Sequence, residues 1–172
     1  MTVELAIRTA IEYETQVRDL YSAAKAEARE PAGARFLEVL ADEEQRHVDY
    51  LDSRLAEWTR TGKVAVEAIA TAVPSKERIA EGVKSLKDHL KLSPDERDAA
   101  LAILKRALDV EVRTSAFYQE MVATLPEGEP RRMFARFLEI EDGHVAIVAA
   151  EIDSVNGLGF WFDVREFELE AG

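Results

Sequence analysis

The chain has 172 residues, 47% of them hydrophobic and 33% charged, with a formal net charge of −12. That is enough for one domain with a full core, and without a basic stripe nucleic acid is not an expected partner. There is no cysteine, which excludes disulfides, Cys-ligated zinc and iron–sulfur clusters.

Gly (8) and Pro (5) are few, while Ala, Leu, Glu and Arg are common, a mixture that predicts an all-α protein. Met1-Thr2-Val3-Glu4 does not open a signal peptide, and no apolar run approaches membrane length. The expectation is a cytoplasmic protein with no membrane association.

A first helix is predicted from about Thr2 to Ala28. Leu5, Ala6, Ile7, Ala10, Ile11, Val17, Leu20, Tyr21 and Ala24 recur at spacings near three and four and make one apolar stripe. Glu14 and Tyr21 lie on or beside it, whereas Glu12, Arg18 and Asp19 fall on the wet side. Glu30-Pro31-Ala32-Gly33 breaks the pattern, and Pro31 suits the first position of a second helix. That helix runs to about Thr61 and stops at Gly62. Phe36, Leu37, Leu40, Leu51 and Leu55 form its buried face, with Glu44 and His47 along it. Glu43 and Asp49 are expected in solvent.

Residues 62–92 form a connection long enough to cross a bundle from end to end. A short helix is expected from Pro74-Ser75-Lys76-Glu77 to about Leu90, with Ile79, Val83 and Leu86 inward and His89 exposed and without function. Ser93-Pro94-Asp95-Glu96 is a strong helix start, combining a cap, a first-turn proline and a capping box. The third helix runs to about Thr124, with Leu101, Leu104, Leu108, Glu111, Ser115 and Tyr118 inward. The fourth runs from about Pro130 to Val155, with Phe134, Phe137, Glu141, His144 and Val148 inward, and ends at Asn156-Gly157. The tail from Leu158 to Phe167 is too aromatic to float in water and should strap onto the bundle or a second subunit. Trp58 could join that packing. The chain thus reads as a single domain over 1–172: a helix pair at 2–61, a crossover at 62–92, a second pair at 93–155 and a tail at 156–172.

The two pairs repeat one constellation. Glu14 to Glu111, Tyr21 to Tyr118, Glu44 to Glu141 and His47 to His144 are each 97 residues apart. Beyond these, Ala10/Ala107, Ala26/Ala123, Arg35/Arg132 and Val48/Val145 match, and little else does. A repeat kept only for stability should retain core residues first. Here the retained residues are concentrated in those that could coordinate metal or orient a ligand. In Glu44-Gln45-Arg46-His47 and Glu141-Asp142-Gly143-His144, the acid and the imidazole are three apart and share a helix face.

Four carboxylates aimed into one core would cost on the order of several kcal/mol each, and their mutual repulsion would keep some protonated. Two divalent cations would offset four carboxylates, and two neutral imidazoles would complete the shells. Oxygen-rich donors with one nitrogen per metal suit iron or manganese; zinc could bind in purified protein.

One Glu from each of two helices and Glu-x-x-His from each of the other two is the ferritin-like arrangement. Over roughly residues 2–155 the chain resembles the rubrerythrin branch of the ferritin-like di-iron carboxylate proteins. The resemblance rests on Glu14-x6-Tyr21, Glu44-x2-His47, Glu111-x6-Tyr118 and Glu141-x2-His144. It implies a ferritin-like four-helix bundle with a long crossover, and two iron ions. By the same resemblance Glu44 and Glu141 bridge the metals and Glu14 and Glu111 are terminal ligands. His47 and His144 bind one metal each, and Tyr21 and Tyr118 hydrogen-bond the ligand carboxylates. The implied activity is oxidation of Fe(II) by hydrogen peroxide or dioxygen, in a homodimer that can exchange helix pairs. A ferritin-like ferroxidase for iron storage is the alternative, and a helical interaction module with structural acids a third reading.

Two departures stand out. The four-cysteine rubredoxin module is missing, so an electron donor must be separate. The additional Glu of rubrerythrins, one turn after the third-helix Glu, is Thr114 here. Gly143 inside its helix costs roughly 1 kcal/mol, and a close approach by another helix or the tail is the expected reason.

Overall fold

A computed structural model describes residues 1–66, 68–74, 78–79, 91–159 and 161–162. The described residues are all-α, with four long helices in a bundle: α1 (Val3–Glu27), α2 (Pro31–Thr61), α3 (Pro94–Thr124) and α4 (Glu129–Asp153). Local chemistry sets the ends. Thr2 caps α1 by accepting from the Leu5 N–H at 3.2 Å. Pro31 opens α2, and Gly62 closes it in the left-handed region at φ 65°, where only glycine is unstrained. Ser93 and Glu96 form the reciprocal capping box that starts α3.

The fourth helix ends differently from the sequence expectation. The chain runs through Asn156-Gly157 in a wider π-helical turn, Ser154–Leu158, and stops at Gly159, whose φ is 82°. The Gly159 N–H donates to the Ser154 carbonyl at 2.9 Å, and the Gly159 carbonyl accepts from the Leu92 N–H at 2.6 Å. The end of the bundle is thereby tied to the end of the crossover.

Contacts across the core give the topology. Tyr21 meets Glu111 and Glu14 meets Tyr118, so α1 and α3 are antiparallel. His47 packs on Phe137, and Glu44 reaches His144, so α2 and α4 are antiparallel too. Short connections make α1/α2 and α3/α4 antiparallel hairpins, and α2 and α3 therefore run parallel. A 31-residue α2 is about 46 Å long, which is why its link to α3 must be long.

The apolar core is split in two. One cluster gathers Val17, Tyr21, Phe36, Leu37, Leu104, Ile147, Trp161 and Phe162. The other gathers Ala6, Ile7, Leu51, Phe117, Tyr118, Phe134 and Phe137. In every helix the predicted ligands lie between the two clusters: Glu14, Glu44 and His47, Glu111, and Glu141 and His144.

Several expected faces shift. Leu5 is exposed although Ala6 and Ile7 beside it are fully buried, because at about 100° per residue it falls on the far side of the stripe that Ala6, Ile7, Ala10 and Val17 share. On α3 the buried line is Ile103, Leu104, Ala107, Val110, Glu111, Thr114, Phe117, Tyr118 and Met121. Leu101, Leu108 and Ser115 lie half-buried on its flank. Trp161 and Phe162 are buried against the start of α2, with Phe36 5.9 Å and 5.7 Å from their rings, as expected of a strap. Trp58 is not part of that packing. It sits at the other end of α2 in the second cluster.

In the crossover, Val64, Ile69, Val73 and Ile79 are buried. Most of the predicted 74–90 helix, with Val83, Leu86 and His89, lies outside the described residues, as do Phe160 and residues 163–172. Gly143 faces the crossover, but an added Cβ would meet Val73 only at 3.7 Å. Ordinary contact does not demand a glycine there, and nothing in the structure explains it. Among the described residues no helix is long and apolar enough to cross a membrane.

Candidate metal centre

All six predicted ligands converge at the middle of the bundle, between the two apolar clusters. Glu14, Glu44, His47, Glu111, Glu141 and His144 are each 0% exposed, so none is a solvated surface acid. They fall into two groups that share Glu44: Glu14, Glu44, His47 and Glu141 in one, Glu44, Glu111 and His144 in the other. Within each group the ligand atoms lie within 4.8 Å of one another.

Both imidazoles turn Nδ1 inward. His47 Nδ1 lies 3.1 Å from Glu44 Oε2 and 3.2 Å from Glu14 Oε2. His144 Nδ1 lies 2.8 Å from Glu44 Oε1 and 3.8 Å from Glu111 Oε2. Glu141 Oε1 is 3.7 Å from each Nδ1. The two rings are nearly parallel, with centroids 5.5 Å apart. Glu44 thus addresses one histidine with each oxygen, Glu141 stands between them, and Glu14 and Glu111 occupy opposite ends.

The tyrosines bond crosswise. Tyr21 of the first pair donates to Glu111 of the second, and Tyr118 of the second donates to Glu14 of the first. Each phenol fixes the outer oxygen of an end carboxylate and leaves the inner one to the centre. Thr114 is buried and turns its hydroxyl back to the Val110 carbonyl at 3.1 Å, adding no carboxylate.

Electrostatics follow from burial without cations. Among the described residues no Lys or Arg pairs with Glu14, Glu44, Glu111 or Glu141. Burial, reinforced by the Glu44 charge, raises Glu14 to about 8. Burial raises Glu111 to about 7, with His144 pulling down and Glu44 pushing up. Burial and the Glu14 charge push Glu141 well above the usual carboxylate range. Burial acts on Glu44 in the same direction, but His144 and His47 outweigh it and hold Glu44 well below that range. Burial alone would lower His47, yet Glu44 and Glu14 raise it to about 10. His144 moves up for the same reason, with Glu44 and Glu141 as its partners.

The donor set fits metal cations. Both oxygens of Glu141, Glu44 Oε1, Glu111 Oε2 and His144 Nδ1 are buried without a hydrogen-bond partner. Buried polar atoms are nearly always satisfied, and each of these faces the centre. Cations there would occupy the lone pairs and offset the carboxylate charge.

One residue was misplaced by sequence reasoning. Glu43, expected in solvent, is 0% exposed. The Thr71 hydroxyl and the Ala72 N–H, the latter at 2.8 Å, both donate to it. Its Oε1 lies 3.6 Å from His144 Nε2. A signal was present: Glu43 precedes His47 by four, which places the two on one helix face. Asp49 is exposed as expected.

No protein family, no curated protein and no solved structure matches this chain. Any family assignment therefore rests on the ordered double motif and on this geometry.

Proposed function

We propose that the chain is a di-iron carboxylate oxidoreductase, similar to rubrerythrins but without a rubredoxin module, that oxidises Fe(II) with hydrogen peroxide or dioxygen. The observation that carries this reading is Glu44, whose two oxygens lie 3.1 and 2.8 Å from the inward nitrogens of two parallel histidines. That spacing supports a carboxylate shared by two cations.

In this reading Glu44 and Glu141 would be shared by the two ions, Glu14 and Glu111 would each hold one from the ends, and His47 and His144 would bind one ion each. When bound, two Fe(II) ions would supply two electrons to the oxidant. Manganese suits the same donors, and zinc is a foreseeable occupant of purified protein. The chain's own work is to position and to exclude. Tyr21 and Tyr118 hold the end carboxylates, and the two apolar clusters keep water from either side of the polar layer. Since the chain has no cysteine, a separate electron donor restores the reduced state. One chain supplies all six ligands. A cytoplasmic homodimer with exchangeable helix pairs, built from a single domain over 1–172, completes the proposal.

The test is a turnover assay on iron-loaded protein with a chemical reductant and limiting peroxide. Catalytic peroxide consumption that disappears in Glu44→Ala is the expected result. Uptake of many irons per chain with a single oxidation of each would favour the storage ferroxidase instead. Equal peroxide consumption by native and Glu44→Ala protein would contradict both.

A further inference from the structure

We infer that Glu43 is a positioning residue for the His144 side of the proposed centre and makes the two metal positions unequal, the one at Glu44, Glu111 and His144 holding a divalent transition cation more tightly. The inference rests on the two-metal reading above.

The chemistry begins with the imidazole. A ring that gives Nδ1 to a metal carries its proton on Nε2, and a carboxylate facing that N–H fixes the tautomer and strengthens the donor. His144 has this arrangement. Its Nδ1 points to Glu44 and its Nε2 lies 3.6 Å from Glu43 Oε1. That is an ion-pair distance rather than a formed hydrogen bond. Glu43 is held there by the Thr71 hydroxyl, by the Ala72 N–H at 2.8 Å and by Arg46 at 3.4 Å. Those donors give a buried carboxylate a reason to stay charged, beside a ring it can serve.

The repeat has no second copy of this device. The position 97 residues after Glu43 is Ile140. Both Nε2 atoms are buried without a formed hydrogen bond; His144 Nε2 has the Glu43 carboxylate in front of it, whereas the His47 ring meets Phe137 edge-on, with centroids 5.3 Å apart. Glu43 comes within 4.8 Å of a His47 nitrogen as well, but reaches ion-pair distance only with His144. One histidine is therefore backed by a fixed carboxylate and the other by a phenyl edge. Two of the three donors to Glu43 come from the crossover, which makes residues 71–72 part of the support for the centre.

The experiment is a titration of the metal-free full chain with Co(II) at fixed pH, in competition with a chelator of known affinity. Two steps differing by about 10–100-fold are expected in the native protein, the range over which a carboxylate behind a ligand histidine changes metal affinity. Glu43→Gln should weaken the tighter step by a similar factor and leave the weaker step in place. Thr71→Val, which keeps the carboxylate but removes one of its anchors, should act on the same step with a smaller factor. It decides the matter if Glu43→Gln does not fold. Equal steps in the native protein would overturn the inference, as would variants that weaken both steps alike or neither. A native protein that takes up no Co(II) would overturn the two-metal reading itself, a result distinct from two equal sites.

Discussion

Tyr21 and Tyr118 hold equivalent places in the two helix pairs, and their surroundings differ. Tyr118 stacks on Phe137, with ring centroids 5.1 Å apart and planes 6° from parallel, and touches Phe117 and Phe134. Tyr21 lies in the cluster of Val17, Leu37 and Leu104, with no ring contact among the described residues. The histidines differ in the same way: His144 is backed by Glu43 and His47 by Phe137. What the halves share is the set of inward-facing donors, while the packing behind those donors has diverged. Coordination needs fixed atom types at fixed places, whereas a core needs only apolar volume.

The largest expected effect removes what the halves share. Glu44→Ala combined with Glu141→Ala should abolish stable metal uptake, measured as metal content after gel filtration. Next comes metal removal. At a free metal concentration about 1,000 times Kd, chelation should cost about 4 kcal/mol of stability, read from denaturant midpoints. The loss should grow with pH. In the metal-free protein Glu14 is raised from 4.5 to about 8 and His47 from 6.5 to about 10. Each group holds a proton when folded that the unfolded chain has already released. The metal-free form should therefore lose stability as pH rises from about 4.5 to about 10. Metals must displace these protons, so binding at pH 7 should release protons and tighten with pH.

The crosswise tyrosines sharpen the comparison. Tyr21→Phe should weaken the position at Glu111 and His144, and Tyr118→Phe the one at Glu14 and His47. A hydrogen bond to a charged group is worth about 1.5–3 kcal/mol, or roughly tenfold or more in affinity per step of a metal titration. Weakening within the tyrosine's own half would contradict the pairing. The smallest effects are structural. An added Cβ at Gly33 would lie 2.6 Å from the Trp161 ring. Gly33→Ala should then cost about 1–3 kcal/mol by overpacking with metal content unchanged. Gly143→Ala, with open contact to Val73, should instead stabilise by up to about 1 kcal/mol; thermal melts of both variants check the opposite signs.

The helix ends at Pro31, Gly62 and Ser93 were readable because each depends on a residue's own backbone chemistry. The six buried Glu and His residues at the centre were readable because a 97-residue offset repeated them in order. Glu43 was not. Its burial depends on Thr71 and Ala72 arriving from the crossover, and no helical period reports what a distant loop will donate. The place of Trp58 was hidden for a similar reason, since an aromatic residue near a helix end packs equally well in either of two clusters. The π-helical turn that carries the chain past Asn156-Gly157 to Gly159 was not readable either, since the bond between Gly159 and Leu92 joins parts of the chain that the local pattern treats separately.

The central claim is that one chain builds a two-metal centre from six residues supplied by four helices. The most direct test is the metal content of protein purified without chelator, followed by anaerobic Fe(II) titration of the metal-free form. Saturation at two irons per chain is expected, lost in Glu44→Ala with Glu141→Ala. No iron uptake, together with replacement of Glu44 and Glu141 at no cost to the protein, would contradict it.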